Sequence, residues 1–251
     1  MTDIDIAVSR LIQARQDHRA RPAPTLADTN AAYATQERVA LELGWFGNAT
    51  PRYWKLGGPS RNTVLSHAPL PPAGVWSSPA QAGDWPCARG GVEAEVALRL
   101  REPVDAALAA QLDLAGARDL IDAMCVSIEI VDSRWAEGPQ APALAQLADM
   151  LSHGALVLGD WVEFDAARTW PTQACRVRIG VQAERTFRGS HPLSDPVFGV
   201  PAWLRHATRN GAVLSAGSVV TTGSWCGLLQ AQPGDEIDVA FDGIGRASVR
   251  L

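Results

Sequence analysis

The sequence lacks the features that mark membrane proteins and nucleic-acid-binding proteins. It has no run of apolar residues approaching the ~20 that a membrane-spanning helix requires. Its 22 basic residues are outnumbered by 27 acidic ones, which gives a net charge of −5 over 251 residues. A mildly acidic protein does not attract the anionic backbone of nucleic acid or an anionic membrane surface. We therefore expect neither nucleic acid nor a membrane among its partners.

Cysteine is also scarce, and the sequence has no cysteine motif of the redox or metal-binding kind. The four cysteines lie far apart and form no Cys-x-x-Cys pair; they are Cys87, Cys125, Cys175 and Cys226. The first residues, Met1–Asp5, include acids where a secretory signal peptide has basic residues. We therefore expect a cytoplasmic protein whose cysteines are reduced thiols, packed as small apolar side chains.

Residues 91–100 carry two carboxylates in a pattern typical of a β-strand. With a two-residue period one face is apolar, and it is formed by Val92, Ala94, Val96, Leu98 and Leu100. Glu93 and Glu95 lie on the other face, about 6.5–7 Å apart along the strand. Like charges this close repel each other unless a cation or water screens them. The pattern fits a metal site, and it also fits a strand with glutamates on a solvent-exposed face.

A second strand supplies a third carboxylate. Residues 124–134 are mostly apolar and β-branched, and Glu129 interrupts them. An ionised carboxylate in such a run is costly unless it is paired or bound to a metal. Three carboxylates on two strands suit Mg²⁺ or Mn²⁺, which prefer oxygen ligands. We interpret Glu93, Glu95 and Glu129 as ligands of one ion; the alternatives for Glu129 are an edge position in solvent or an ion pair with Arg134.

These motifs together resemble a known family. Gly91–Ala97, Ser127–Arg134 and Ser215–Ser224 are similar to the fumarylacetoacetate hydrolase superfamily, most closely to its 2-oxopent-4-enoate hydratases and 4-oxalocrotonate decarboxylases. The resemblance runs from about Ala31 to the C-terminus. It implies an α+β fold, a mixed β-roll with an N-terminal helical segment. We expect this segment to span residues 1–65 and a metal-binding catalytic β-roll domain to span 66–251.

The same resemblance implies an enzymatic activity. A divalent metal would stabilise the enolate of a 2-oxo (or 2-hydroxy-dienoic) acid, and we expect a lyase similar to the 2-oxopent-4-enoate hydratases of aromatic catabolism. One enolate also serves decarboxylation and carbon–carbon bond hydrolysis, so both remain alternatives. A relative that binds metal without catalysis is an alternative of another class. Family members commonly form homo-oligomers, and nine tryptophans against two tyrosines also suggest apolar surface that one domain does not hide easily.

The resemblance also assigns roles to residues outside the carboxylate set. Lys55 lies between Trp54 and Leu56, where partial desolvation favours an anionic partner, either a site glutamate or a substrate carboxylate. A surface lysine with its stem on Trp54 is the alternative. We expect Lys55 to be catalytic and to bind substrate. The further predicted substrate-binding residues are Ser152, Thr222 and Gly223.

In one region the sequence departs from the family pattern. Relatives carry an acidic residue where this chain has Ser77 and Ser78, and a serine does not exchange protons near neutral pH. His153 follows a stretch that the family places at the pocket, and its near-neutral pKa suits a proton shuttle. We predict a catalytic role for His153, with a structural histidine as the alternative. We place His67 in a proline-rich loop and His206 on a surface helix.

Periodicity and turn residues predict the remaining elements. Helices are expected at 3–20, 25–43 (with Thr25 as N-cap), 104–110, 115–123, 142–151 and 201–210. The first two should pack on the main domain or on a neighbouring subunit. Residues 66–90, rich in Pro, Gly and Ser, are expected to be an ordered loop region. Strands are expected at 154–164, 173–182, 184–189, 217–223, 235–242 and 246–251.

Overall fold

The computed structural model describes residues 2–251, and it begins with two helices. Helix α1 spans Asp3–Asp17 and starts with a capping box between Thr2 and Asp5. Helix α2 spans Thr29–Glu42, and the Asp28 side chain accepts a hydrogen bond from the Ala31 N–H. Asp28, and not Thr25, is therefore the N-cap, so the predicted start of this helix was wrong. Asp caps a helix as well as Thr does, and sequence spacing alone does not choose between them.

Four further α-helices and fourteen strands complete the fold of residues 2–251, which is α+β as predicted. The helices are α3 (Ala106–Gln111), α4 (Leu114–Asp119), α5 (Ala143–Ala148) and α6 (Val200–Ala207). The strands are β1 (Tyr53–Gly57), β2 (Ser66–Leu70), β3 (Val75–Ser77), β4 (Ala80–Gln81), β5 (Gly91–Leu100), β6 (Ile121–Val131), β7 (His153–Leu158), β8 (Val162–Glu163), β9 (Ala174–Ile179), β10 (Arg185–Arg188), β11 (Val219–Thr221), β12 (Leu229–Gln230), β13 (Glu236–Phe241) and β14 (Gly245–Arg250).

The strands form two mixed sheets. The larger has nine strands in the order β2-β1-β11-β5-β6-β7-β3, with β12 beside β5 and β8 beside β6. The smaller has the order β10-β9-β13-β14-β4. Parallel pairs occur in both, since β1 runs parallel to β11, β3 to β7 and β14 to β4. Strands β5 and β6 pair antiparallel at the centre of the larger sheet over almost their whole lengths.

The main core lies between the two sheets, and it fixes which way the glutamates point. Val92, Val96 and Ile128 of the larger sheet are fully buried in one cluster with Val239 and Val249 of the smaller sheet. Burying each such side chain contributes about 1.5–3 kcal/mol. Because neighbouring residues on a strand point to opposite faces, the glutamates of β5 and β6 face away from this core.

The N-terminal helices pack on the rest of their own chain, the first of the two predicted arrangements. They share a second apolar cluster with α5, centred on Trp135, which is fully buried and donates Nε1–H to the Ala145 carbonyl at 2.7 Å. The linker after α1 is held by backbone hydrogen bonds from Arg21 to Arg134 and from Ala136 to Arg21. Strand β1 lies within the predicted 1–65 segment, yet it belongs to the larger sheet.

Two predictions about the region after β1 were wrong. Residues 66–90 contain three strands, β2, β3 and β4. Pro69 argues against a strand at this place in the sequence. The strand forms nevertheless, because β2 is at the edge of the sheet, where the missing N–H of proline is tolerated. His67 is consequently a buried strand residue, and the centre of its ring lies 5.0 Å from that of His206. The Tyr33 ring of α2 lies on His206, with 4.3 Å between the ring centres. Among residues 2–251, the helices are all too short or too polar to cross a membrane.

Candidate metal centre

Pairing of β5 with β6 brings the three predicted carboxylates together. Glu93 stands directly opposite Glu129 across the two strands, and Glu95 follows two residues along β5 on the same face. One oxygen from each carboxylate lies within 4.8 Å of the others. Glu95 is 2% exposed and Glu129 is fully buried. The carboxylates are therefore not on a solvent-exposed face, and Glu129 is not an edge residue.

Burial and mutual repulsion make this cluster electrostatically unfavourable without a cation. Burial raises the pKa of Glu93 and of Glu95, and the neighbouring Glu129 carboxylate raises both further. Burial would also raise the pKa of Glu129, but Lys55 and His153 together hold it below its ordinary value. Three carboxylates thus face one permanent cation. A divalent ion would remove this imbalance.

Lys55 is the only lysine in the sequence, and the fold places it in this cluster. It lies on β1, with its side chain 9% exposed, and its Nζ donates to Glu129 Oε1 at 2.5 Å and to the Leu151 carbonyl at 3.2 Å. Burial lowers the pKa of Lys55, but the nearby glutamates outweigh this effect and raise it, Glu129 most of all. Lys55 is therefore a desolvated cation paired with a site glutamate, and not a surface lysine.

The acceptor carbonyl of Leu151 is aimed by an unusual left-handed turn. Met150, Leu151 and Ser152 have φ values of 51°, 56° and 60°, a conformation that costs a non-glycine residue about 1–3 kcal/mol. The Ser152 N–H closes the turn by donating to the Asp149 carbonyl at 2.9 Å, and the Ser152 carbonyl accepts from the Asp132 N–H at 2.8 Å. No sequence signal indicated this turn, since it contains no glycine. The turn ends at Ser152, and β7 begins at the next residue, His153.

The residues before this turn are anchored by an ion-pair network. Asp149 is fully buried and accepts from Arg134 Nε at 2.6 Å, from the Arg134 N–H at 2.9 Å and from Arg15 Nη2 at 3.3 Å. Arg134 is thus the partner of Asp149 and not of Glu129, which excludes the alternative that sequence reasoning had left open. The network ties α1 to the turn that holds Lys55.

His153 shares the Glu129 oxygen with Lys55. Its Nδ1 lies 3.0 Å from Glu129 Oε1, the side chain is 2% exposed, and burial lowers its pKa although Glu129 opposes this effect. Nε2 of His153 and Oε2 of Glu129 are both buried without a hydrogen-bond partner among the described residues. Unpartnered buried polar atoms are rare and call for a ligand, an ion or a water.

Glu95 is held by β11 and the residues after it. Thr221 donates its hydroxyl to Glu95 Oε2, and the Gly223 N–H donates to the same oxygen at 3.0 Å. Thr222 is fully buried and donates its hydroxyl to the Val96 carbonyl at 2.7 Å, so this hydroxyl is engaged within the sheet. Sequence reasoning missed Thr221. The register of β11 on β5, which turns Thr221 to the glutamate face, could not be read from the sequence.

The serines that replace the family acid lie elsewhere. Ser77 is on β3, and the Ser78 hydroxyl accepts from the Ser248 N–H of the smaller sheet at 2.8 Å. Neither serine bonds to the glutamates, Lys55 or His153. The roles predicted for Lys55, Ser152, His153, Thr222 and Gly223 stay predictions.

A cavity of about 190 Å³ opens beside the cluster. It is lined by Arg89, Gly91, Glu93, Val131, Ser133, Pro139, Gln146, Leu151, Ser152, Leu228 and Gln230. Because Glu93 and the turn residue Leu151 both line it, the cavity gives a small molecule access to the carboxylates. Glu93 and Arg89 are its only charged lining residues among those described. The donor set, all carboxylate oxygen with one unpartnered oxygen on Glu129, fits a hard divalent cation.

Comparison with known proteins supports a common ancestry. Over 232 residues the chain is 28% identical to 2-keto-4-pentenoate hydratase 1 of Dechloromonas aromatica (strain RCB), covering 89% of this chain and 86% of the relative. Its fold matches that of 4-oxalocrotonate decarboxylase from Pseudomonas putida G7, solved with magnesium and adipate, with a TM-score of 0.81 at 17% identity, over 98% of this chain and 96% of the other. The same decarboxylase with calcium and acetate gives a TM-score of 0.80 at 18% identity, over 100% and 98% of the two chains.

The family comparison covers most of the chain. The profile of the fumarylacetoacetate (FAA) hydrolase C-terminal family matches residues 70–251. This range contains all three glutamates of the cluster and both sheets except for strands β1 and part of β2. It confirms the predicted superfamily, and the structural matches confirm the predicted fold. The chain therefore belongs to the fumarylacetoacetate hydrolase family.

Proposed function

We propose that this protein is a divalent-metal-dependent lyase acting on a small 2-oxo acid, similar to the 2-oxopent-4-enoate hydratases. The observation that carries the proposal is the buried cluster of Glu93, Glu95 and Glu129, open to a cavity and carrying one unpartnered carboxylate oxygen. The named hydratase relative and the metal-bound decarboxylase structures support the same activity class. Decarboxylation is the second candidate, because this chain has serines in place of the family acid.

Mg²⁺ or Mn²⁺ is the proposed cofactor, held by the three glutamates. When bound, the ion supplies a Lewis acid that stabilises negative charge developing on the substrate oxygens. Thr221 and the Gly223 N–H fix one oxygen of Glu95. Lys55 and His153 fix one oxygen of Glu129. Hydrogen bonds of this kind orient metal ligands and are worth about 10- to 100-fold in metal affinity.

Lys55 is suited to hold the substrate carboxylate. Its ammonium group has three N–H donors, of which Glu129 and the Leu151 carbonyl accept two. The remaining donor, on a desolvated cation, is available to an anionic ligand. A substrate carboxylate placed there would be bound by a strong charge-assisted hydrogen bond.

His153 is suited to move the proton. Because Glu129 is an acceptor for Nδ1–H, the neutral ring presents its lone pair at Nε2, the atom that has no partner. A base in this position can take a proton from a substrate carbon and return it at another carbon. This accounts for proton transfer without the acid that relatives carry near Ser77 and Ser78.

The reaction can be tested directly. Protein with Mn²⁺ is mixed with 2-oxopent-4-enoate or with 4-oxalocrotonate, and the ultraviolet band of the dienoate is followed together with CO₂ release. Loss of the band without CO₂ supports the hydratase, and loss with CO₂ supports the decarboxylase. If neither substrate is consumed while Mn²⁺ still binds, the non-catalytic alternative replaces the proposal.

A further inference from the structure

A buried histidine outside the carboxylate cluster is linked to it through a single peptide group. His191 lies in the segment between β10 and α6 and is 4% exposed. Its Nε2 is 2.8 Å from the carbonyl oxygen of Thr222. That carbonyl belongs to the same peptide group as the Gly223 N–H, which donates to Glu95 Oε2 at 3.0 Å. One peptide group therefore separates His191 from a carboxylate of the cluster.

The contacts of His191 determine which ring nitrogen carries the proton. A carbonyl oxygen can only accept, so Nε2 carries the hydrogen that bonds to Thr222. The Leu193 N–H donates to Nδ1 at 3.2 Å, so Nδ1 presents its lone pair. Burial lowers the pKa of His191 to about 4, although the bond to the Thr222 carbonyl opposes this effect. At neutral pH His191 is therefore an uncharged donor with both ring nitrogens bonded.

The peptide between Thr222 and Gly223 has two orientations open to it. Gly223 has a φ of 110°, and φ values of either sign are accessible to glycine. The C=O and N–H of a trans peptide point in opposite directions. A half-turn of this peptide would therefore present the Thr222 carbonyl to Glu95 in place of the Gly223 N–H.

The bonds on either side of this peptide do not select its orientation. The Thr222 hydroxyl donates to the Val96 carbonyl at 2.7 Å, and the Trp225 N–H donates to the Ala94 carbonyl at 2.8 Å. Both bonds hold the segment along β5, and neither involves the C=O or the N–H of the peptide. The bond from His191 holds the carbonyl on the side away from Glu95. Hydrogen bonds joined in such a chain also polarise and strengthen one another.

We propose that His191 is a positioning residue for the metal centre: its bond to the Thr222 carbonyl keeps the Gly223 N–H on Glu95 and leaves the other oxygen of Glu95 for the divalent ion. The effect on metal binding rests on the proposed function, whereas the effect on the bond between Gly223 and Glu95 does not. Hydrogen bonds that orient metal ligands are worth about 10- to 100-fold in metal affinity.

Two substitutions of similar length separate the donor from the space that it fills. His191→Gln places an amide NH₂ near the position of Nε2 and should keep the bond to Thr222. His191→Met fills the same space without a donor. Calorimetry should show a Kd for Mn²⁺ that is about 10- to 100-fold higher in His191→Met and close to that of the wild type in His191→Gln.

A second variant and a control complete the set. His191→Asn keeps an acceptor for the Leu193 N–H but is too short to reach Thr222, so it should behave as His191→Met and replaces it if the methionine variant does not fold. His67→Met is the matched control. His67 is also 4% exposed, but it lies on β2 opposite Leu56, and its substitution should leave the Mn²⁺ affinity unchanged.

The peptide itself can be observed, because Thr222-Gly223 is the only Thr-Gly pair in the sequence. In protein labelled with ¹³C at the threonine carbonyls and with ¹⁵N in glycine, a TROSY-HNCO spectrum contains one cross peak, that of this peptide. Without metal, the wild type and His191→Gln should both give an amide proton at the low field typical of a bond to a carboxylate. His191→Met should move the proton and the carbonyl carbon upfield. Diamagnetic Mg²⁺ should shift the wild-type peak by binding to Glu95.

The other outcomes refute the inference or the proposed function separately. If His191→Met leaves the cross peak and the Mn²⁺ affinity unchanged, or moves the peak alone, His191 does not position the metal centre. If His191→Gln and His191→Met weaken Mn²⁺ binding alike, the ring acts by packing, and the inference is refuted. If the wild type binds no Mn²⁺ and Mg²⁺ leaves its peak in place, the proposed function fails. The metal-free spectra then still show whether His191 holds the peptide.

Discussion

Replacing Glu95 by glutamine tests the metal centre most directly, because the structure predicts opposite effects on the fold and on metal binding. Thr221 and the Gly223 N–H both donate to one oxygen of Glu95. In Glu95→Gln the amide oxygen can accept both bonds, and the NH₂ group then occupies the place of the second oxygen. An NH₂ group cannot ligate a hard cation. The fold should survive while a metal ligand is lost.

The expected size of each effect follows from the burial of Glu95. Residues that only support metal ligands are worth about 10- to 100-fold in affinity, so loss of a charged ligand should weaken Mn²⁺ binding by more than about 100-fold. Without metal, burial penalises the ionised carboxylate. The metal-free variant should therefore unfold with a free energy within about 1 kcal/mol of the wild type or above it.

The assay combines calorimetry with denaturant unfolding. Mn²⁺ at about 100 times its Kd should stabilise the wild type by about 2.7 kcal/mol and should leave Glu95→Gln almost unchanged. Glu102→Gln, the same substitution at an exposed position, is the matched control and should behave as wild type. Unchanged Mn²⁺ affinity in Glu95→Gln would refute the assignment of the three glutamates. Unfolding of the variant in EDTA would refute the argument from the hydrogen bonds.

The surroundings of His153, Lys55 and His67 and the exposed apolar side chains each give a further prediction. His153→Ala should lower turnover by about two to four orders of magnitude and keep metal affinity; wild-type turnover would make His153 structural. Selective ¹⁵N-lysine labelling should give one side-chain resonance, that of Lys55, and Mg²⁺ should shift it; an unmoved signal would contradict its place at the centre. Burial lowers the pKa of His67 to about 4. Between pH 6.5 and 4 the unfolded chain therefore binds more protons than the folded one, and the free energy of unfolding decreases as the pH is lowered. At pH 5 this histidine should cost about 2 kcal/mol relative to pH 7, measured by urea unfolding, and His67→Asn should lose that part of the slope. Light scattering should show a homo-oligomer, since large apolar side chains such as Leu41 and Val64 are 76% and 88% exposed; a monomer at micromolar concentration would refute this.

Local sequence patterns predicted the structure correctly wherever the neighbours of a residue along the chain determine its environment. The two-residue alternation in 91–100 placed Glu93 and Glu95 on one face, and the apolar run around Glu129 indicated a buried charge. Both follow from strand geometry alone. The wrong predictions concern residues whose environment is determined by contacts between segments far apart in the sequence. His67 was placed in a proline-rich loop and His206 on a surface helix, although β2 and α6 bring the two rings together beside Tyr33 of α2.

The sequence by itself determined the family, the α+β class and the three carboxylates, because strand periodicity and short motifs are local properties of the chain. Only the tertiary structure decided the partners of those carboxylates. Pairing of β5 with β6 set Glu93 opposite Glu129, and the left-handed turn at 150–152 aimed the Leu151 carbonyl at Lys55. The register of β11 likewise depends on segments far apart in the chain. Such contacts depend on how elements pack in three dimensions, which spacing along one sequence does not specify.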